Sequence, residues 1–205
     1  MSTTLLFVEL LIIGIQSCVW ILLIFLNIYG LSWFKAFFAL NIKDWQSIIL
    51  LISLAFVYTL GVVVDRIADI LFSRWNEKIK KNVFSSAWDK LGVMRFAVTK
   101  ENEKLDRQLE YTRSRMRIAR GSVLNIGLST FFLTIFIVFR SQATNKWIHL
   151  LSILGVGVLL VTAATIAWRK LVYTHSLAVK ANYEYYVLKQ PIAYGEIKTG
   201  DDPNG

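Results

Sequence analysis

An all-α membrane protein, with four transmembrane helices and a cytoplasmic helical hairpin between the second and third, is the fold class this sequence predicts. Three observations carry that reading. Four runs of about 20 predominantly apolar residues meet the length needed to cross a bilayer. Of the 205 residues 55% are apolar and only 18% charged, with a mean hydropathy of +0.50, whereas an ordinary globular domain carries roughly 25% charged residues. The charges are also concentrated: residues 74–120 hold 13 Lys/Arg against 6 Asp/Glu.

The first run covers residues 5–28. No basic residue precedes it, it exceeds a signal peptide's apolar region, and no small-x-small site follows, so it reads as a retained span. The second covers 48–72, the third 121–139 and the fourth 148–168. The chain thereby divides into spans one and two (1–73), the hairpin (74–120), spans three and four (121–172), and a C-terminal helix and tail (173–205). The connections at the opposite side carry only Lys35, Lys43 and Asp44 in one and Arg140 and Lys146 in the other. By the positive-inside rule the basic connection is cytoplasmic, and four spans then place both termini inside, in a cell inner membrane. Trp33, Trp45, Trp75, Trp147 and Trp168 fall at the predicted boundaries, where indoles prefer to sit.

Trp75, Ile79, Val83, Ala87, Leu91, Met94 and Val98 recur at three- and four-residue steps, which predicts that the second span continues as one amphipathic helix. After a break near 99–102, Leu105, Leu109, Thr112, Met116 and Ala119 lead into the third span. Each arm of about 20 residues would project about 30 Å. The apolar seam should be buried against the C-terminal helix, expected over 171–189, or against a second copy. The remaining tail is polar and expected to be disordered.

The net charge of +9 raises nucleic acid as a partner, but its placement beside the spans favours anionic lipid headgroups, and no nucleic acid is expected. Arg113, Arg115, Arg117 and Arg120 form the densest basic run and are the candidate contact for lipid or a cytoplasmic protein partner. Glu9, Asp65, Arg66 and Asp69 share one level near the cytoplasmic edge. A charge in hydrocarbon requires a partner, and Glu9 with Arg66 is the expected pair, either as a charged ring at a pore mouth or as a helix-locking contact. Gln16, near the middle of the first span, joins Ser122, Asn125 and Ser129 of the third and Ser152, Gly155, Thr162 and Thr165 of the fourth as candidates for pore lining or close helix packing.

Enzyme chemistry finds no motif: there is no HExxH, P-loop or GxSxG, and His149 and His175 lie a full span apart. The Asp65/Asp69 pair resembles the diphosphate-binding aspartates of membrane transferases, yet the second acidic motif those need does not occur. No cofactor is expected. Cys18, the single cysteine, excludes an internal disulfide. The tyrosine-rich run 183–186 reads as a contact surface or as membrane-facing aromatics.

Residues Val63, Val64, Asp65, Arg66, Ile67, Ala68 and Asp69, and the run Arg113, Ser114, Arg115, Met116 and Arg117, set in four spans with inside termini and a helical extension, resemble small four-span membrane effectors of bacterial anti-phage systems. That resemblance implies a homo-oligomer that perturbs or permeabilises the inner membrane. The competing expectation is a non-conducting scaffold that recruits a partner through its basic hairpin.

Overall fold

Both prolines lie beyond residue 190, so nothing in the apolar runs removes a backbone donor, and each folds as an uninterrupted length of helix apart from one glycine kink. The computed structural model describes residues 3–38, 45–84, 91–101, 103–140 and 145–185. Among them the elements are α1 (Thr3–Phe38), α2 (Gln46–Phe84), α3 (Leu91–Glu101), α4 (Glu103–Arg140) and α5 (Lys146–Tyr183). Four helices, over Leu6–Ser32, Gln46–Phe84, Glu103–Arg140 and Lys146–Tyr183, are long and apolar enough to cross a membrane. A helix of about 38 residues is about 57 Å long, well beyond a hydrocarbon core of about 30 Å. The excess length of α2, α4 and α5 lies at one end, with α3 beside it, and this is the charged end.

The order around the bundle is α1, α2, α5, α4, with α4 packed most extensively on α5 and on α1. Helices α1 and α4 run parallel and in register. Glu9 meets Arg117, Ser17 meets Asn125 and Asn27 meets Phe132, a nearly constant separation of 108, 108 and 105 residues along the chain. Close approach of α1 to α2 depends on two glycines. A Cβ on Gly14 would lie 1.9 Å from the Val57 carbonyl oxygen, and one on Gly61 would lie 1.9 Å from that of Leu10. Further along α1, Gly30 adopts φ 78°, which only glycine takes without strain, and the helix kinks there. The Arg140 guanidinium donates to the Asn27 and Ile28 carbonyls at 2.9–3.2 Å, satisfying acceptors beside the kink.

Two apolar cores follow from this arrangement. Ala68, Phe72, Val123, Trp168 and Val172 pack where α2, α4 and α5 meet. Val83, Phe84, Val98, Leu109 and Val179 pack at the charged end. The second core corrects the expected hairpin. Val83 and Val98 lie in one cluster, although 15 residues of straight helix would hold them about 22 Å apart. Residues 74–98 are therefore not one straight arm: α3 is a separate element, packed against α4 and α5. The seam closes on α5 through Val179, and Lys180 Nζ donates to the Val83 carbonyl at 3.2 Å near the end of α2. As expected, α5 runs on from the fourth apolar run in one helix. The polar tail, Tyr186 and the segment near Pro191 lie outside the described residues.

Around the spans the surface is apolar: Leu50, Ile70, Phe139 and Leu151 are each at least 70% exposed. A soluble bundle does not present so continuous an apolar girdle. The chain has the build of a multi-pass membrane protein.

Candidate functional site

At the junction of the apolar runs and the charged end, five ionisable side chains from three helices form a layer. Glu9 on α1 is buried and accepts from Arg117 on α4 at 3.2 Å. One turn further along α4, Arg120 donates to Asp65 at 2.9 Å and also to Asp69, both on α2. The i,i+4 spacing of Asp65 and Asp69 puts both carboxylates on the face of α2 that meets one guanidinium. Arg117 and Arg120, three residues apart, likewise share a face. Between them they tie α1 and α2 to α4.

The expected partner of Glu9 was Arg66, and the structure corrects this. Arg66 follows Asp65 by one residue, about 100° around the helix, so when Asp65 turns toward α4 the Arg66 side chain is exposed. The register of α1 against α4 brings Arg117 to Glu9 instead. The basic run also divides by face. Arg117 and Arg120 turn inward to carboxylates, Arg113 lies 3.8 Å from Glu110, and Arg115 points outward with its guanidinium 5.7 Å from the Tyr111 ring centre.

Deeper in the bundle the polar side chains of α1 and α4 meet one another. Asn125 is buried; its Oδ1 accepts from Ser17 Oγ at 2.9 Å and Trp20 Nε1 at 3.0 Å, while its Nδ2 donates to the Ile13 carbonyl at 3.1 Å. Ser122 donates to Gln16 at 3.1 Å. Ser129 is half-buried on α4. On α5, Thr162 is exposed, Ser152 and Thr165 donate to carbonyls of their own helix, and a Cβ at Gly155 would meet nothing within 4 Å. The close contact of α5 with α4 falls at Gly157 instead, against Thr130.

A cavity of about 920 Å³ opens beside the ion-pair layer. Lys80, Arg95, Arg113 and His175 line its outer part. Arg95 donates to Glu110. His175 lies seven residues beyond the fourth apolar run and is buried, and its Nδ1 has no hydrogen-bond partner among the described residues. Burial, reinforced by Arg95, Arg113 and Lys80 and opposed by Glu110, pushes the His175 imidazole down to about 4, so it is neutral near pH 7. Burial also lowers Lys80 and Arg113, each with further cations beside it. Among the described residues no three His, Cys, Asp or Glu side chains gather where they could hold a metal ion.

Sequence reading missed Lys80, Arg95, Glu110 and His175 as members of one site because they come from four helices. The only local signal was the three-residue spacing of Glu110 and Arg113. Ser17 and Trp20 were missed as partners of Asn125, although Ser17 and Gln16 are adjacent polar residues in an otherwise apolar run. Compared with protein-family models, with curated proteins and with solved structures, the chain finds no match.

Proposed function

We propose that the chain is a homo-oligomeric inner-membrane protein that controls membrane permeability, with both termini and α3 on the cytoplasmic side, and that it does so without enzyme chemistry. The carrying observation is the charge layer formed by Glu9, Asp65, Asp69, Arg117 and Arg120. It binds three spans together at the level where they leave the apolar runs, so a displacement at the charged end moves the spans with it. The mid-span polar cluster of α1 and α4, Ser17, Trp20 and Asn125, is engaged within the protomer. A conducting path would therefore form between copies, and the outward face of α5 at Ser152, Gly155 and Thr162 is the surface available for it. The likeness to anti-phage effectors makes defence by membrane perturbation the biological setting of this reading.

A second reading, a scaffold for a cytoplasmic partner, is favoured by one observation. Val93 and Phe96 on α3 are 69% and 70% exposed, away from the spans.

Liposomes loaded with a fluorescent dye and an ion indicator test the proposal when the purified full chain is reconstituted at increasing protein-to-lipid ratio. Flux that rises more steeply than linearly with protein, together with a discrete oligomer by mass photometry, is expected. A monomer with no flux under any lipid composition or voltage would leave the scaffold reading.

A further inference from the structure

The cavity beside the ion-pair layer extends lengthwise. Its lining on α2 begins at Tyr58, within the second apolar run, and ends at Lys80, 22 residues or about 33 Å further along the helix. Leu10, Tyr58 and Val62 wall the inner part, and Lys80, Arg113, His175 and Ser176 contribute to the outer part. Among the described residues, six cationic side chains line the whole against three acidic ones, Asp65, Asp69 and Glu77.

The cations differ in how they are neutralised. Arg117 and Arg120 are held by Glu9, Asp65 and Asp69, and Arg95 by Glu110. Arg113 shares Glu110 Oε1 with Arg95, at a distance of 3.8 Å, and Lys80 makes no ion pair among the described residues. Two buried polar atoms at the same place, His175 Nδ1 and Ser176 Oγ, have no hydrogen-bond partner among the described residues. Lys80 is half-buried and Arg113, its side chain 47% exposed, stands at the rim beside it; cations crowded next to unsatisfied buried polar atoms are costly, and an anion with several acceptor oxygens relieves both costs at once.

We propose that this cavity holds an anionic phospholipid. Its phosphate sits against Lys80, Arg113, His175 and Ser176, and an acyl chain passes the ion-pair layer to lie along Leu10, Tyr58 and Val62. Continuity of the lining from hydrocarbon depth to the basic end favours a lipid over a soluble phosphate compound, which would leave the apolar part unfilled. The site is distinct from diffuse headgroup attraction at a basic surface because Lys80 and Arg113 line one cavity together with His175 and Ser176.

Native mass spectrometry of the full chain in a mild detergent, challenged with phosphatidic acid, phosphatidylcholine or inorganic pyrophosphate, tests this without any flux measurement and so separately from the permeability proposal. Retention of one phosphatidic acid per protomer, in preference to phosphatidylcholine, is expected. Lys80→Gln and Arg113→Gln should each weaken it on the order of tenfold or more, as for loss of a charge-assisted hydrogen bond. Arg115→Gln removes the same charge from the outward face of the same helix and should leave retention unchanged. Thermal unfolding without lipid identifies a variant that fails to fold; if Arg113→Gln does, Lys80→Gln carries the comparison. Equal losses for Arg113→Gln and Arg115→Gln would overturn the site in favour of diffuse surface attraction. Binding of pyrophosphate without retention of phosphatidic acid would overturn the lipid assignment, and absence of phosphate-dependent binding would overturn the proposal.

Discussion

Glu9 and Arg117 form an ion pair 3.2 Å long between α1 and α4, with the carboxylate 1% exposed and the guanidinium 16% exposed. Removing the cation strands a buried charge, whereas removing both charges leaves a neutral polar pair.

Arg117→Gln should therefore cost about 3–5 kcal/mol of stability, as breaking a buried pair does. Glu9→Gln combined with Arg117→Gln should recover most of that loss. Tryptophan fluorescence during denaturant titration of the detergent-solubilised protein provides the comparison. Strictly additive losses would show that the two side chains do not interact.

The glycines make a sharper packing test. At Gly61 a methyl group would meet backbone oxygen rather than a side chain that could swing aside. Gly61→Ala should destabilise the α1/α2 contact by about 1–3 kcal/mol, the usual cost of overpacking. Gly155→Ala enters open space and should stay within about 0.5 kcal/mol of the parent. If both changes behaved alike in the same unfolding assay, the close approach of α1 and α2 at Gly61 would be refuted.

His175 supplies a pH signature. Burial, with Arg95, Arg113 and Lys80 beside it and Glu110 opposing, lowers its folded value to about 4, against 6.5 when unfolded. Between those values the unfolded state binds the proton and the folded state does not, so stability is retained above pH 6.5 and falls as the pH drops toward 4. At 1.36 kcal/mol per pH unit the loss reaches about 3 kcal/mol at most. His175→Leu should flatten the dependence of the unfolding midpoint on pH across that window. An unchanged slope would assign the pH dependence to other groups.

The spans were legible because their signal is local: about 20 apolar residues in sequence already specify a bilayer-crossing helix. The inward face of the basic run was partly legible too, since Arg113, Arg117 and Arg120 recur at helical spacing. Pairing was not, because it depends on which helices are neighbours. Nothing in residues 1–30 says that α1 lies beside α4 with an offset of 108 residues, and that offset selects Arg117 over Arg66 for Glu9. The hairpin was misjudged for a related reason. Three- and four-residue periodicity continues across 85–90 in sequence, and it does not reveal that Val83 and Val98 join one apolar cluster. Gly14 and Gly61 carried no distinguishing mark among the other glycines, whereas Gly155, whose spacing suggested close packing, faces open space.

Orientation can be read with single cysteines in a Cys18→Ser background. Asn145→Cys, exposed at the start of α5, should react with an impermeant maleimide added outside intact cells, and Val93→Cys, exposed on α3, should not. The reverse pattern would invert the topology and place the basic end outside.

Conductance across a planar bilayer tests the central claim most directly. The wild-type chain should give discrete current steps, and Arg120→Gln, which releases Asp65 and Asp69 from α4, should change their open probability while the oligomer survives. Silent bilayers containing demonstrably inserted, oligomeric wild-type protein would contradict the claim that this chain controls permeability.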